Sequence, residues 1–197
     1  MTGNHLGGRC RPRPGPPSNA KGGAAAFYEH WLSRRAGAMV PDHKAIDLAA
    51  LSHLLPRIQV LDRRADGSFE WRRIGAELVA FFGRDRSGQT FDPAALPRHD
   101  RDFLAVYTAV GSQPCGGVVH CRAQTTSERV AGLKILALPL LDDAGCANRV
   151  LAYSEVFGLG RRELQRFGCF IDLRIERLDF SDIGAGKPPK RDPAGRP

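Results

Sequence analysis

The residues that could support catalysis in this chain are few and scattered. The chain has six histidines and five cysteines, and the cysteines form no Cys-x-x-Cys pair. No histidine stands at metal-ligand spacing from a cysteine or at paired spacing with a carboxylate, and neither a P-loop nor a nucleophile elbow occurs. The sequence therefore predicts a protein that is not an enzyme and holds no metal. Its cysteines, at positions 10, 115, 121, 146 and 169, are expected to be reduced and packed.

Two short segments nevertheless invite a chemical interpretation. Arg84-Asp85 follows Gly83 and predicts either a buried salt bridge or helix cap, or a contact with an anion. The segment from Asp179 to Gly186 superficially resembles the glycine loop of methyltransferases, but such a loop must open a helix in a parallel α/β unit. Only eleven residues follow Gly186, and most of them are Pro, Lys or Arg. The methyltransferase interpretation is therefore rejected.

The elements that would position such side chains are organised around the stretch from Arg57 to Gly88. Asp66-Gly67 is a turn signal between two short runs of β-forming residues, so a β-hairpin is predicted. Apolar residues at helical spacing then predict a short helix that ends at Gly83. In order, the predicted features are a strand through Ile58, Val60 and Leu61, the turn, a strand over 69–74, Gly75, and a helix containing Leu78, Val79, Phe81 and Phe82.

The rest of the domain adds a long helix and three late strands. A polar segment of turns and loop is predicted after Gly83. From Arg98, apolar residues recur at i, i+3, i+4 and i+7, which predicts an amphipathic helix. Two early strands, a helical middle and three late strands indicate a five-stranded antiparallel sheet with helices on one face, which is an α+β fold. The late strands are predicted over 116–124, 129–141 and 148–157.

Two helices are predicted before the sheet, within residues 24–56. The first begins at Ala24 and ends before Gly37, and Asp47 is expected to cap a second helix that Pro56 ends. This second helix is predicted from Leu48 to Leu55. The first helix carries an apolar face of Phe27, Tyr28, Trp31 and Leu32.

Charge and composition separate a domain from two tails. Residues 1–23 carry four basic and no acidic residues and are rich in Pro and Gly, which predicts a disordered basic leader. Residues 184–197 carry four basic residues and one acidic residue, as a basic tail, so only +1 of the net charge of +8 belongs to residues 24–183. The basic tails do not predict a specific nucleic-acid site. No apolar run reaches the length of a membrane span.

The domain is predicted over residues 24–160, and a C-terminal extension over 161–183 is ambiguous between helix and strand. Apolar residues there fit both periods. The favoured interpretation is a short helix over 161–168 and an extended piece over 171–180.

The order of these features resembles the PAS domain, and more narrowly a group of short bacterial proteins that contain a single PAS domain. The resemblance extends roughly from Phe27 to Phe157. The features that carry it are a helix leading into Leu54-Leu55-Pro56, a strand ending in Leu61-Asp62, a connection with Gly75, Gly83, Arg84, Asp85 and Gly88, and a strand-rich segment from Cys115 to Phe157.

The resemblance implies a cavity between the sheet and the helical middle of the domain. It therefore implies a small-molecule site, with a ligand-free interaction or scaffold domain as the alternative. In that alternative the pocket candidates only fill the core. The candidates are Leu78, Phe81, Phe82, Phe103, Tyr107, Leu136 and Tyr153.

Neither a covalent flavin nor a haem is expected. A flavin photosensor of this kind would need a Cys in the helix after Phe82, where Gly83 to Ser87 contains none. Haem-binding relatives use an axial His, and His99 and His120 are more simply surface or core histidines.

The resemblance also implies a cytoplasmic signalling module that senses a small apolar ligand or binds a signalling protein. It implies a homodimer as well, because PAS domains commonly pair through an N-terminal helix. A two-fold interface would use the same patch on both copies, while in the alternative the patch packs on its own sheet in a monomer. The predicted interface consists of Phe27, Tyr28, Trp31 and Leu32.

Overall fold

The described residues form a seven-stranded antiparallel sheet with helices on both faces. The structure is a computed structural model that describes residues 21–92, 98–159, 163 and 168–188. Nearly all of the predicted leader and most of the predicted tail lie outside these ranges. The strands are β1 (Ile58–Arg63), β2 (Phe69–Ile74), β3 (Thr90–Phe91), β4 (Cys115–Thr125), β5 (Val130–Leu140), β6 (Arg149–Phe157) and β7 (Phe170–Asp182).

The five predicted strands are the centre of this sheet. The order across the sheet is β3-β2-β1-β6-β5-β4-β7, and each neighbouring pair is antiparallel. The α+β class is confirmed, whereas the predicted count of five strands is too low. The short β3 pairs with β2 in the segment predicted as turns and loop, and β7 extends the opposite edge.

Strand β7 lies in the segment that was ambiguous in sequence. It pairs with β4 along its whole length, from Cys115 opposite Asp182 to Thr125 opposite Phe170. The predicted extended piece over 171–180 is therefore confirmed, and the pairing makes it part of the sheet. This pairing satisfies the backbone groups that β4 would otherwise present at an open edge. The helix predicted over 161–168 lies almost wholly outside the described residues.

Three α-helices are described, and all three were predicted. They are α1 (Gly23–Ser33), α2 (Ala76–Phe82) and α3 (Arg98–Ser112). Gly83 ends α2 in the left-handed conformation, with φ of 72°, which glycine adopts without a steric penalty. Across the described residues, no helix is both long enough and apolar enough to span a membrane.

The second N-terminal helix, predicted from Leu48 to Leu55, does not form as an α-helix. The Asp47 carboxylate does accept hydrogen bonds from the backbone N–H groups of Ala49 and Ala50, at 2.9 and 3.3 Å. The chain then continues in turns and ends in a 3₁₀-helix at Leu55–Arg57. Pro56 lacks an N–H and disfavours the α conformation at the preceding residue, which works against an α-helix that would run to Leu55.

The two faces of the sheet carry separate hydrophobic cores because strand side chains alternate. Helix α1 packs on one face, against side chains that include Leu136, Leu138 and Tyr153. Helix α3 packs on the other face, against side chains that include Leu133 and Ile135. Helix α2 lies on the α3 side, beside the end of β7. We call these the α1 face and the α3 face.

The predicted dimer patch on α1 is an intramolecular core. Phe27, Tyr28 and Trp31 are fully buried against the α1 face, and Leu32 is packed at its margin. The Trp31 indole Nε1 donates a hydrogen bond to the backbone oxygen of Pro139 at 2.9 Å. The prediction that these four residues form a dimer interface is therefore wrong, because their own sheet already covers them.

Candidate functional site

A cavity of about 120 Å³ lies between the α3 face of the sheet and helix α3. Its wall is rich in aromatic rings. The cavity is lined by Gln59, Trp71, Phe82, Arg86, Phe103, Tyr107, Leu133, Ile135, Phe170, Ile171, Asp172 and Leu173. Five of these twelve residues are aromatic, so any ligand here would meet flat apolar surfaces on several sides.

The structure brings three of the seven predicted pocket residues to this cavity. Phe82 comes from the end of α2, and Phe103 and Tyr107 lie one turn apart on α3. Leu78 and Phe81 are buried beside the cavity, where Phe81 contacts Phe170 with ring centroids 5.5 Å apart. These two residues support the wall without lining it.

Leu136 and Tyr153 were wrongly predicted to line the pocket. Both side chains lie on the α1 face, and the Tyr153 ring stacks on Phe27 with centroids 5.5 Å apart. In β5 the neighbours of Leu136 at odd positions, such as Ile135, face the cavity instead. The sequence predicts β5 as a strand, but an apolar run that is buried on both faces does not reveal which set of residues faces α3.

The polar floor of the cavity consists of Gln59, Trp71 and Tyr107, of which only Tyr107 was predicted to line the pocket. Gln59 on β1 is only 3% exposed. Its Oε1 accepts a hydrogen bond from Trp71 Nε1 at 3.1 Å, and its Nε2 donates to Tyr107 Oη at 3.0 Å. An indole can only donate, so the indole fixes which end of the amide faces which partner. The one available signal was a glutamine inside an otherwise apolar strand run.

The Tyr107 hydroxyl is a fixed hydrogen-bond donor at this floor. Burial raises the pKa of Tyr107 well above its usual range, so the hydroxyl stays protonated. Its oxygen is occupied by the Gln59 amide N–H, which leaves the hydroxyl hydrogen to be donated. Within the described ranges, the structure records no protein acceptor for that hydrogen.

Arg86 places a cation in the cavity wall. Its guanidinium carbon Cζ lies 4.9 Å from the ring centroid of Trp71 and 5.5 Å from that of Phe82. Cation–π contacts of this kind attract the guanidinium to the faces of the two rings. Helical spacing could not have identified Arg86, because α2 ends at Phe82 and Arg86 lies in the loop beyond Gly83.

The loop that carries Arg86 is fixed to the adjacent strand β2. The Gly88 N–H donates to the Trp71 carbonyl at 2.6 Å, and the Trp71 N–H donates to the Gln89 carbonyl at 3.1 Å. Gly88 has a φ of 76°, which favours glycine. The Asp85 carboxylate accepts a hydrogen bond from the Ser87 backbone N–H at 2.8 Å, and this bond lowers the pKa of Asp85.

The other motif residues have structural positions. Arg84 and Asp85 are both exposed, so the prediction that they take part in a buried salt bridge is wrong. Arg86 is the basic residue that this loop brings to the cavity. Gly75 lies so close to the backbone of Leu55 and Pro56 that a Cβ would not fit.

Asp62, near the end of β1, is another of the motif residues. It accepts hydrogen bonds from Arg149 and lies 2.8 Å from Arg72 as an ion pair.

The histidines and cysteines do not converge on the cavity. His120 lies opposite Lys134 and Arg177 on the α1 side of the sheet, and the side chain of His99 lies outside the described residues, as does Cys10. Burial raises the pKa of the Cys115 and Cys121 thiols to about 12. In the parts of the chain that the structure describes, no three His, Cys, Asp or Glu residues are grouped as a metal site would need.

The comparison with known protein families matches the same region. The family model described as the PAS domain matches residues 20–154, which is well over half of the chain. No curated protein and no solved structure matches the chain. The match runs from before α1 into β6 and therefore contains most of the cavity wall, whereas β7 lies beyond it. With this match and the antiparallel sheet described above, the chain belongs to the PAS domain family, whose domains serve as sensory or interaction modules.

Proposed function

We propose that this protein is a cytoplasmic, non-catalytic sensory module that binds a small molecule in the cavity between α3 and the sheet. The observation that carries the proposal is the cavity itself. Its volume of about 120 Å³ far exceeds the roughly 10–15 Å³ that one water needs. Polar groups converge on its aromatic wall, as they do in ligand sites.

Part of the cavity wall comes from an edge strand. Leu173 of β7 is half-buried and lines the cavity, while Ile171 beside it is exposed. A ligand can therefore enter beside β7 without opening the core between α3 and the sheet.

A second candidate is an interaction or scaffold domain that binds a partner protein without a ligand. It is favoured by Val130 and Phe157, which are 45% and 52% exposed. Strand register places both on the α1 side of the sheet, since Gly132 lies opposite Phe157. Exposed apolar side chains at neighbouring positions are typical of contact surfaces.

Native mass spectrometry of the purified protein, combined with a blocking variant, tests the first candidate. Leu173→Phe would add a ring at the cavity wall. Leu178→Phe is the matched control, because Leu178 is a half-buried leucine of the same strand that does not line the cavity. We expect a retained ligand, or binding of added small aromatic molecules, in wild type and Leu178→Phe but not in Leu173→Phe.

Two results would contradict the ligand-binding proposal. One is equal binding by both leucine variants, which would place the ligand elsewhere. The other is a protein that retains nothing and binds no small molecule from a broad fragment set, which would favour the interaction domain.

A further inference from the structure

The geometry points to a ligand of a definite class: a small aromatic carboxylate, with a single flat ring and an anionic oxygen pair. This inference rests on the proposed function, because it concerns the same cavity. It comes from three features of the wall that act together, namely the aromatic rings, the Arg86 guanidinium and the Tyr107 hydroxyl.

The rings determine the shape of the ligand. Trp71, Phe82 and Phe103 come from three different elements and line one small space. Flat faces offer the most contact to a flat molecule, and offset or edge-to-face ring pairs gain stability beyond their buried area. An apolar cavity of roughly 150 Å³ accommodates benzene. A cavity of about 120 Å³ with an open side therefore suits one ring with one small substituent.

The guanidinium determines the charge of the ligand. The Arg86 Cζ atom lies 4.9 Å from the Trp71 centroid and 5.5 Å from the Phe82 centroid, and a guanidinium carries its N–H donors around its edge. That fork of donors matches a carboxylate. The carboxylate among the lining residues, Asp172, already lies 2.8 Å from Arg174, which offsets its repulsion of an anion.

The hydroxyl supplies a second donor at the floor. Tyr107 Oη accepts from Gln59 Nε2 at 3.0 Å, and the Trp71 indole fixes that orientation of the amide. The Tyr107 O–H is therefore directed to an acceptor other than Gln59. An oxygen on the ligand can accept it, whereas an ammonium or amidinium cannot. The polar groups thus favour an acceptor-bearing anion over a cation of the same shape.

Three probes of equal shape test this class: benzoate, benzamide and benzamidine. All three carry one ring and one planar substituent, and they differ in charge. Binding would be measured by calorimetry and by quenching of Trp71 fluorescence, with Trp71→Phe as the control for the optical signal. We expect benzoate to bind roughly tenfold or more tightly than benzamide, as is usual for a hydrogen bond to a charged group, and benzamidine to bind weakest.

Variants on the Arg86 loop test whether Arg86 causes the expected preference for benzoate over benzamide. Arg86→Gln should remove the advantage of benzoate over benzamide and leave benzamide affinity within about threefold of wild type. Arg84→Gln is the matched control, because Arg84 is two residues away on the same loop and exposed. It removes the same charge and should leave both affinities unchanged. Arg86→Lys should keep part of the preference, since it keeps the charge without the planar fork.

The outcomes separate this inference from the proposed function. If benzamide or benzamidine binds as well as benzoate, the cavity binds small rings but the anion inference is wrong. If Arg84→Gln weakens benzoate as much as Arg86→Gln does, the effect is long-range charge and the inference is also wrong. If none of the three probes binds while native mass spectrometry finds a retained ligand, the aromatic carboxylate class is overturned and the sensory function stands.

Discussion

The two faces of the sheet use similar aromatic side chains in different ways. Those on the α1 face are buried in the core, and those on the α3 face line a cavity. On the α1 face, Phe27, Tyr28 and Trp31 are fully buried, and the indole donor of Trp31 reaches a backbone carbonyl. On the α3 face, Trp71 and Phe82 are only half-buried around a cavity, and the indole donor reaches the side chain of Gln59.

The difference indicates how the proposed binding would be kept apart from folding in this domain. The Trp31 indole N–H donates to the backbone oxygen of Pro139. That hydrogen bond does not depend on which side chains lie nearby. A donor that bonds to a buried amide depends on a residue whose burial costs free energy. The α1 face therefore contributes stability, while the α3 face retains polar groups and space that a filled core would lack.

Truncating one tryptophan on each face should give the largest contrast. Trp31→Ala should lower the free energy of unfolding by about 3–5 kcal/mol, because a fully buried ring is removed and a cavity remains. Trp71→Ala should cost only roughly 1–2 kcal/mol, because the ring is half-buried beside existing space. From the sequence alone, substitution of Trp71 or Phe82 by Ala would be expected to lower the free energy of unfolding by about 3–5 kcal/mol.

Urea unfolding of both variants, at matched protein concentration, checks this contrast. A Trp31→Ala protein without a cooperative transition would agree with the expectation. Equal costs for the two substitutions would show that the α3 face is packed as tightly as the α1 face.

Most of the fold could be predicted from sequence, because periodicity and turn residues report local structure. Asp66-Gly67, Gly83 and the repeat after Phe103 each identified an element that the structure contains. The strands of the sheet centre were also identified, but not which side chains of β5 face α3. Leu136 was assigned to the cavity for that reason, and the face of a doubly buried strand depends on tertiary pairing.

The polar part of the site could not be predicted because it arises from pairs distant in the chain. Gln59 and Tyr107 are separated by 48 positions, and neither residue alone indicates the other. The aromatic stripe of α1 shows the converse. Its composition was compatible with a dimer interface, and only the position of β5 and β6 beside it shows that the stripe is covered within one chain.

Adding one methyl group on each face gives a finer comparison of packing. Gly117→Ala on β4 would place a Cβ 3.0 Å from Val110 Cγ2 and 3.4 Å from Val106 Cγ1, under α3. We expect the free energy of unfolding to fall by about 1–2 kcal/mol, because these valine side chains must shift. Gly132→Ala on β5 faces the α1 side, where the nearest atom, Phe157 Cβ, is at 3.7 Å. It should be neutral or stabilise by about 0.5 kcal/mol.

Thermal unfolding of the two alanine variants measures this difference. If Gly117→Ala matches or exceeds wild-type stability, space under α3 extends beyond the cavity and could accept the extra carbon. The α3 face would then be loosely packed along the whole of α3 and not only at the cavity.

Removing the buried amide tests the dependence of the α3 face on one side chain. Gln59→Leu leaves the Trp71 indole N–H and the Tyr107 hydroxyl without the bonds of 3.1 and 3.0 Å. We expect a cost of about 1 kcal/mol, since water in the cavity can replace the lost partners. A cost above about 3 kcal/mol in urea unfolding would mean that the cavity is dry.

The smallest expected effect at neutral pH comes from the buried thiols of the α3 face, which should lower stability only once the pH becomes alkaline. Cys115 and Cys121 belong to the core of that face, and burial raises the pKa of their thiols from 9.0 to about 12. The unfolded chain releases these protons more readily than the folded chain. The stabilising effect is therefore fully present below pH 9 and is lost as pH rises towards about 12.

Urea unfolding at several pH values across that window should show the decline. The decline should be shallower in a Cys115→Ala/Cys121→Ala variant and unchanged in Cys146→Ala, whose thiol is exposed in the wild type. Identical slopes in wild type and the double variant would assign the alkaline decline to other groups. The tyrosines are the first candidates, since burial raises the pKa of Tyr28 and Tyr153 on the α1 face as well.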